Sequence, residues 1–476
     1  MQSVAAALAR LGDLAASPTV SRLANAFAEA GHELALVGGP VRDAFLGREI
    51  NDLDFTTDAT PDQILAIVKP IAEGHWDIGR AFGTIGAKIA GETVEITTYR
   101  ADSYDGSTRK PDVVFGSSLE DDLMRRDFTV NAMALRLPQL ALVDPSGGID
   151  DLLAKTLRTP AAPEISFGDD PLRMMRAVRF SAALGFTLEL NTAAALDDMS
   201  DRIQNISAER VCEELSKLLR SPTPRAGLEL LVDSGLAEIV LPELPALRLE
   251  TDEHHHHKDV YQHTLTVLDQ AIEYEVARGK LESPDLIVRL AALFHDIGKP
   301  ATRKLEPGGV VSFYHHDVVG AKLAKKRLRA LRFDNDTINA VAMLIELHLR
   351  FFGYTEGAWT DSAVRRYVRD AGDQLERLHI LTRADVTTRN RRKADRLGFA
   401  YDDLEHRISV LAEQEEMAAV RPDLDGEAIM RILGIRPGRE VGEAYRYLLE
   451  QRLDDGPLGE EEATRRLQTW WAEREV

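Results

Sequence analysis

Two stretches of this 476-residue chain hold side chains whose types and spacing suit chemistry at a phosphate. The first is LVGGPVRDAFLGREINDLDFTT, residues 36–57. Gly38 and Gly39 close a strand pattern and open a helix pattern. Backbone N–H groups there can approach a phosphate with no Cβ in the way. Arg42 lies one turn into that helix and reaches toward the same anion. Asp52 and Asp54 stand two apart on a strand, so both side chains point to one face. Two carboxylates aimed one way repel each other unless a cation lies between them. Mg²⁺ held by one or two carboxylates plus substrate phosphates is the usual arrangement. Glu95, in the strand pattern TVEITTYR, is a third carboxylate that joins the pair if the two strands are neighbours.

The second stretch gathers several of the thirteen histidines. His263 lies in the helical segment YQHTL. His295 and Asp296 end the apolar helix LAALFHDIGKP, and Asp385 sits in LTRADVTTR on a later helix. Imidazole and carboxylate ligands suit a divalent transition ion or Mg²⁺. Further candidates are His348, in IELHLR, and either His315 or His316, in FYHHDVVGA. A histidine inside an apolar helix is more often a packed core residue, and that alternative weighs on His316 and His348 taken singly. The run His254–His257 reads as the entry to this region, with His257 near the metal.

The elements that must position these residues change character along the chain. Residues 4–30 repeat apolar positions at helical spacing, with Gly31 as a C-cap. ELALV (33–37), DLDFTT (52–57), GTIGAKIA (83–90) and TVEITTYR (93–100) read as strands, and Pro61 opens a helix. Residues 101–118, rich in Gly, Ser and Asp, read as a mobile loop. After about Asp150 helical patterns take over, among them 169–184, 207–220, 260–279, 285–294, 317–331, 336–349, 374–390 and 400–417. Linker candidates are 221–225 and 242–253. The expected fold is α+β: an α/β head followed by an elongated all-α neck, body and tail.

The first stretch, with four later segments in order, resembles the nucleotidyltransferase superfamily. More narrowly it resembles the bacterial-type (class II) tRNA CCA-adding enzymes and related poly(A) polymerases. The later segments are DDLMRRDFTVNAMA (121–134), DPSGGIDDL (144–152), DDPLRMMRAVRFSAALGF (169–186) and ISAERVCEELSKLL (206–219). The resemblance implies that Asp52 and Asp54 hold two Mg²⁺ ions and that Glu95 is the general base. It implies that Gly38, Gly39 and Arg42 bind the triphosphate, with Asp43 positioning that arginine or the sugar. Arg126, Asp127 and Asn131 would contact the nucleotide. Asp170 and Arg173, three apart on one helix, would read the Watson–Crick edge of C or A; the alternative is an intrahelical ion pair. Arg176 and Arg179 continue that spacing toward the nucleotide or an RNA groove. The His…His-Asp…Asp order, with its HDIGKP form, resembles the HD-domain phosphohydrolases. That likeness implies a divalent metal of unstated identity on His263, His295, Asp296 and Asp385, with His316 and His348 serving a second metal.

The implied division is a head (1–150), a helical neck (151–250), an HD domain (251–400) and a tail (401–476). The implied partners are tRNA, CTP and ATP. CCA addition, A addition and poly(A) synthesis share these motifs. The presence of the 101–118 loop, with Asp105, Arg109 and Lys110, favours full CCA addition over CC-only addition. An HD-type phosphohydrolase is the reading of another class.

Charge bounds these readings. With 58 Lys+Arg against 78 Asp+Glu the formal net charge is −20, so indiscriminate adhesion to nucleic acid is excluded. Local basic patches, 320–333 (Lys322, Lys325, Lys326, Arg327, Arg329, Arg332) and 388–396, would have to meet RNA. The tail segment 423–458, with its GIRPG turn, resembles the same family's RNA-gripping C-terminus. A single cysteine, Cys212, excludes an internal disulfide framework. The absence of a basic, apolar N-terminal leader and of a long apolar span makes the cytoplasm the expected compartment and a membrane partner unexpected.

Overall fold

The computed structural model describes residues 3–103, 112–116, 118–249, 259–307, 311–356, 359–387, 390–415 and 421–474. It resolves into two compact units, Met1–Leu241 and Pro242–Val476. The linker candidate 242–253 begins at that boundary. The candidate 221–225 instead lies inside the first unit, where Pro224 opens the helix Pro224–Asp233. Proline suits a first helical position because its missing N–H has no partner there in any case.

The first unit opens on two helices where one was expected, Val4–Ala15 and Pro18–Glu29. Pro18 forces the break: the residue before a proline avoids helical geometry. Ser17 then caps the second helix, its hydroxyl accepting from the Val20 N–H. The strands follow as β1 (Leu34–Val37), β2 (Leu53–Thr57), β3 (Gly74–Trp76), β4 (Thr84–Ile89), β5 (Glu92–Thr98), β6 (Arg100–Ser103), β7 (Asp112–Phe115), β8 (Ala134–Leu137) and β9 (Ala141–Val143). Seven form one sheet in the order β3-β4-β5-β2-β1-β8-β9. The β2–β5 pair is parallel and its neighbours are antiparallel. Every residue of β1 is buried, as its unbroken apolar run requires.

The segment expected as a loop at 101–118 is in part a hairpin. β6 and β7 pair antiparallel, with Ala101 opposite Val114. The polar composition between them concealed two short strands. Asp105, Arg109 and Lys110 lie outside the described residues.

Later in this unit come the helices Pro163–Asp169, Leu172–Leu184 and Ala208–Leu219. The middle one packs on both Ala208–Leu219 and Pro224–Asp233. Gly227 permits that approach: a Cβ there would lie 2.4 Å from Leu218 Cδ1 and 2.9 Å from the Val178 carbonyl.

The second unit is helical. Val260–Arg278, Leu286–Phe294, Asn335–Leu347 and Leu375–Ala384 pack around the buried segment LAALFHD. The helix expected over 374–390 stops at Ala384, with Asp385 as its C-cap. The one expected over 400–417 starts earlier and runs Arg391–Glu415. Three tail helices, Gly426–Leu433, Arg439–Asp455 and Glu460–Arg474, enclose a small core of their own around Ile429, Leu448 and Leu467. Among the described residues no helix is long and apolar enough to cross a membrane.

Candidate active site and metal cluster

β1 ends at Gly38, whose φ of +71° is a left-handed conformation that disfavours any side chain. A Cβ at Gly38 would come 3.4 Å from Arg126 Nη1, so the turn and that guanidinium are neighbours. One turn into the next helix, Arg42 donates to both Asp43 carboxylate oxygens at 2.9 and 3.0 Å and to Asn131 Oδ1 at 2.7 Å. Asn131 in turn donates to Asp127 Oδ1 at 3.1 Å. Asp127 receives Arg176 Nε and Nη2 at 2.8 and 2.6 Å and the Phe128 N–H at 2.8 Å. Burial alone would raise the Asp127 carboxyl, but Arg176 and these donors hold it down to about 2.

Arg42, Arg126, Asp127, Asn131 and Arg176 thus belong to one linked patch. At its centre is a residue that sequence reasoning passed over. The Phe180 ring has the guanidiniums of Arg179, Arg42 and Arg176 over it at 4.0, 5.4 and 5.5 Å. Arg179 donates to buried Glu214 at 2.6 Å. The spacing Arg176…Phe180 is i, i+4 and was available as a signal; the contact from Arg42, 138 positions away by the numbering, was not.

The carboxylates stand on the adjoining strands. Asp54 in β2 is directly in register with Glu95 in β5. Asp52 precedes β2 and is exposed, as is Glu95. Burial, then the charge of Glu95, pushes the Asp54 carboxyl up to about 6; Arg126 opposes the shift and Asp52 adds to it. Three carboxylates repelling one another on one face fit a divalent cation, which would relieve that repulsion.

One expectation fails in detail. Asp170 and Arg173 do not share a helix, because Pro171 restarts the chain and the helix begins at Leu172. Asp170 is extended, with φ −140° and ψ 99°. Its carboxylate accepts from the Leu172 N–H at 3.1 Å and from Arg210 at 2.9 Å. Arg173 donates to Ser166 Oγ at 2.7 Å and to the Arg125 carbonyl at 2.6 Å. Neither side chain is spent on an intrahelical pair with the other.

In the second unit, six side chains fall into two groups of three, His263, His295 and Asp385, and Asp296, His316 and His348. Within each group the ligand atoms lie within 4.8 Å of one another. Three rings are fixed the same way. Nδ1 of His295, His316 and His348 meets the carbonyl three residues earlier at 2.8, 2.9 and 2.6 Å. A carbonyl only accepts, so each Nδ1 carries the hydrogen and each Nε2 is left to face the cluster, His295 Nε2 lying 3.2 Å from Asp296 Oδ2 and His316 Nε2 3.4 Å from Asp296 Oδ1. His348 Nε2 is buried with no hydrogen-bond partner, while Asp296 Oδ2 has the Lys299 ammonium at 2.9 Å; an unpartnered ring nitrogen aimed at a carboxylate cluster fits a bound cation. Burial works against a charged His295, yet Asp296 and Asp385 hold its pKa up to about 10. Burial and the charge of His295 press His348 down to about 4. The buried Asp296 and half-buried Asp385 favour positive charge here, part of which Lys299 supplies. His315, with φ +63°, is exposed, whereas His316 stands 3.4 Å from Asp296. Residues 254–257 lie outside the described residues.

Of the basic patches, Lys322, Lys326, Arg329 and Arg332 are exposed, while Arg327 is tied to Glu243 at 2.8 Å. From 388–396, Arg391 onward lies on a helix, and positions 388 and 389 lie outside the described residues.

The fold and the two sites define a nucleotidyltransferase head joined to an HD-type body. Comparison with known proteins agrees. The family described as Poly A polymerase head domain matches residues 34–158. The one described as probable RNA and SrmB-binding site of polymerase A matches 185–247, and the HD domain matches 260–390. The A-adding tRNA nucleotidyltransferase of Deinococcus radiodurans is 35% identical over 92% of this chain and 95% of its own length. The CC-adding tRNA nucleotidyltransferase of Thermus thermophilus is 32% identical over 91% and 93%. The solved CCA-adding enzyme of Bacillus stearothermophilus in complex with CTP superposes with a TM-score of 0.65 at 26% identity, covering 95% of this chain and 97% of that one. This chain belongs to the tRNA nucleotidyltransferase family and is an enzyme of that class.

Proposed function

We propose that this chain completes the 3′ end of tRNA with CCA, taking CTP and ATP as substrates in a Mg²⁺-dependent reaction. The observation that carries the reading is the juxtaposition in the head. The Asp54–Glu95 pair lies on the strands beside the Gly38 turn, and Arg42 is held there in a fixed orientation by Asp43 and Asn131. In the reaction the RNA 3′-oxygen bonds to the α-phosphorus and pyrophosphate leaves. Mg²⁺ on Asp52 and Asp54 would supply activation of the hydroxyl and neutralisation of the departing charge. Glu95 takes the hydroxyl proton. Gly38, Gly39 and Arg42 receive the triphosphate, and Asp43 keeps Arg42 pointed at it. Arg126 and Asn131 line the nucleotide's approach. Asp170 and Arg173 present an acceptor and donors to the base edge, braced by Arg210 and Ser166. Arg176 and Arg179, stacked around Phe180, stiffen that wall.

A second reading, addition of A alone, is favoured by the Deinococcus relative, whose name describes that activity and which aligns nearly end to end. The HD cluster we assign to hydrolysis of phosphates or 2′,3′-cyclic phosphates at damaged tRNA ends. A divalent ion on its histidines and aspartates would lower the pKa of an attacking water.

The test uses tRNA lacking its end, Mg²⁺ and single labelled nucleotides. Two C followed by one A supports CCA addition. A single A on tRNA already ending in CC, with no C incorporated, supports the second reading. Unlimited A sinks both in favour of poly(A) synthesis.

A further inference from the structure

The outer edge of the head sheet carries an aromatic that plays no part in the sites above. Trp76 pairs with Gly86, Gly86 with Glu95, and Glu95 with Asp54, across four adjacent strands. Residues directly opposite one another share a face of a sheet. Trp76, Glu95 and Asp54 therefore stand on the same face. Ile85, Ala87, Val94 and Ile96, which alternate with them, are buried on the other.

Gly86 is what lets the indole lie across that face. A Cβ at Gly86 would fall 2.0 Å from Trp76 Nε1 and 2.1 Å from Cε2, so the ring fills the space a side chain would take. Trp76 nonetheless keeps 36% of its surface exposed. Strands are spaced ~4.8 Å apart, which sets the indole over β4 about 10 Å from Asp54. Lys88, two residues along β4 on the same face, is exposed. The connection from β3 to β4 adds the exposed apolar residues Ile78 and Phe82.

A flat aromatic beside a cation is the chemistry that holds a single nucleic-acid strand: bases stack on the ring and the cation meets phosphate. The two flanks of β2 also differ. β1 and β8 lie on one side, with Gly38, Arg42 and Asn131 at their ends; β5, β4 and β3 lie on the other. The nucleotide side is thus spoken for, and the opposite side ends in an indole that is 36% exposed.

We infer that Trp76, flanked by Lys88, is a stacking platform for a base of the RNA strand close to its reacting 3′-hydroxyl. The inference rests on the tRNA reading above and names where the second substrate is gripped. Trp76 is a positioning residue in this scheme, since it touches the strand and not the reacting atoms.

The test measures two things on Trp76→Ala, Trp76→Tyr and Lys88→Ala: equilibrium binding of tRNA lacking its 3′ end without nucleotide, and KM for that tRNA and for CTP or ATP during incorporation. Trp76→Ala should weaken RNA binding and raise the RNA KM about tenfold with the nucleotide KM unchanged. Trp76→Tyr should restore most of the loss. Lys88→Ala should cost less, and its cost should fade as salt rises. A merely structural tryptophan would lower thermal stability without this split. RNA binding and KM within twofold of wild type in Trp76→Ala would overturn the inference, as would a rise confined to the nucleotide KM or a tyrosine as poor as alanine. If the wild type adds no nucleotide to any tRNA, the functional reading fails. The binding arm then still decides on Trp76: loss in Trp76→Ala supports the platform and retention sinks it.

Discussion

The head and the HD body each concentrate carboxylates where a cation fits, but they are finished to different degrees. In the body His295, Asp296, His316 and His348 are buried, with His263 and Asp385 half-buried; the rings of His295, His316 and His348 are pinned by backbone carbonyls, and His348 Nε2 has no hydrogen-bond partner. In the head, Asp52 and Glu95 are exposed, and what is rigid is the wall behind them: Asp43–Arg42–Asn131–Asp127–Arg176 and Arg179–Glu214. The difference teaches where each site invests its order. On the reading proposed here the body would hold a resident ion. On the same reading the head is arranged for anions and a base, and its carboxylates would take a cation that arrives with the triphosphate.

The largest effect expected is functional separation. Asp54→Ala should cut nucleotide addition by roughly three orders of magnitude, a loss of several kcal/mol of metal stabilisation, and leave HD-type hydrolysis intact. His295→Ala should do the reverse. Both rates measured on one preparation of each variant check this; a single substitution that removes both activities breaks the comparison.

Next comes the wall. Glu214→Ala leaves the half-buried Arg179 without its carboxylate, which should cost about 3 kcal/mol and lower the thermal midpoint of the first unit. Calorimetry with separate head and body transitions would show it, and an unchanged midpoint would mean the brace carries no load.

A smaller effect is pH-dependent. Asp127 is held down to about 2, below the ordinary aspartate value. Its contribution, about 2–3 kcal/mol, is fully present above pH ~4 and is lost as pH falls toward 2. The stability gap between wild type and Asp127→Asn should be constant from pH 5 to 7 and close below pH 4. A gap that widens on acidification contradicts the assignment.

Much of the head was legible because its chemistry is local in sequence. Gly38, Arg42, Asp52 and Asp54 fall within one short stretch whose period switches from strand to helix, so topology could be read with the residues. Glu95 needed the parallel pairing of β2 with β5, a fact that no local pattern carries. Phe180 was hidden because an aromatic in an amphipathic helix looks like core, and its three arginines come from two distant segments. Asp170 was misplaced because the helical period over 169–184 outweighed the signal of Pro171. In the body, the order His…His-Asp…Asp picked out side chains that the structure brings together, but choosing His316 over His315 required knowing that His315 takes the left-handed turn before the helix.

The most direct measurement of the contrast is metal retention. Wild type, Asp52→Ala/Asp54→Ala and His295→Ala/Asp385→Ala would be loaded with divalent ion, desalted with and without CTP, and their bound metal counted. Metal should survive desalting without nucleotide in the wild type and in the head variant. This metal should be lost in the body variant, and additional retention with CTP should depend on Asp52 and Asp54. Nucleotide-free retention that vanishes with the head substitutions and persists with the body ones would contradict it.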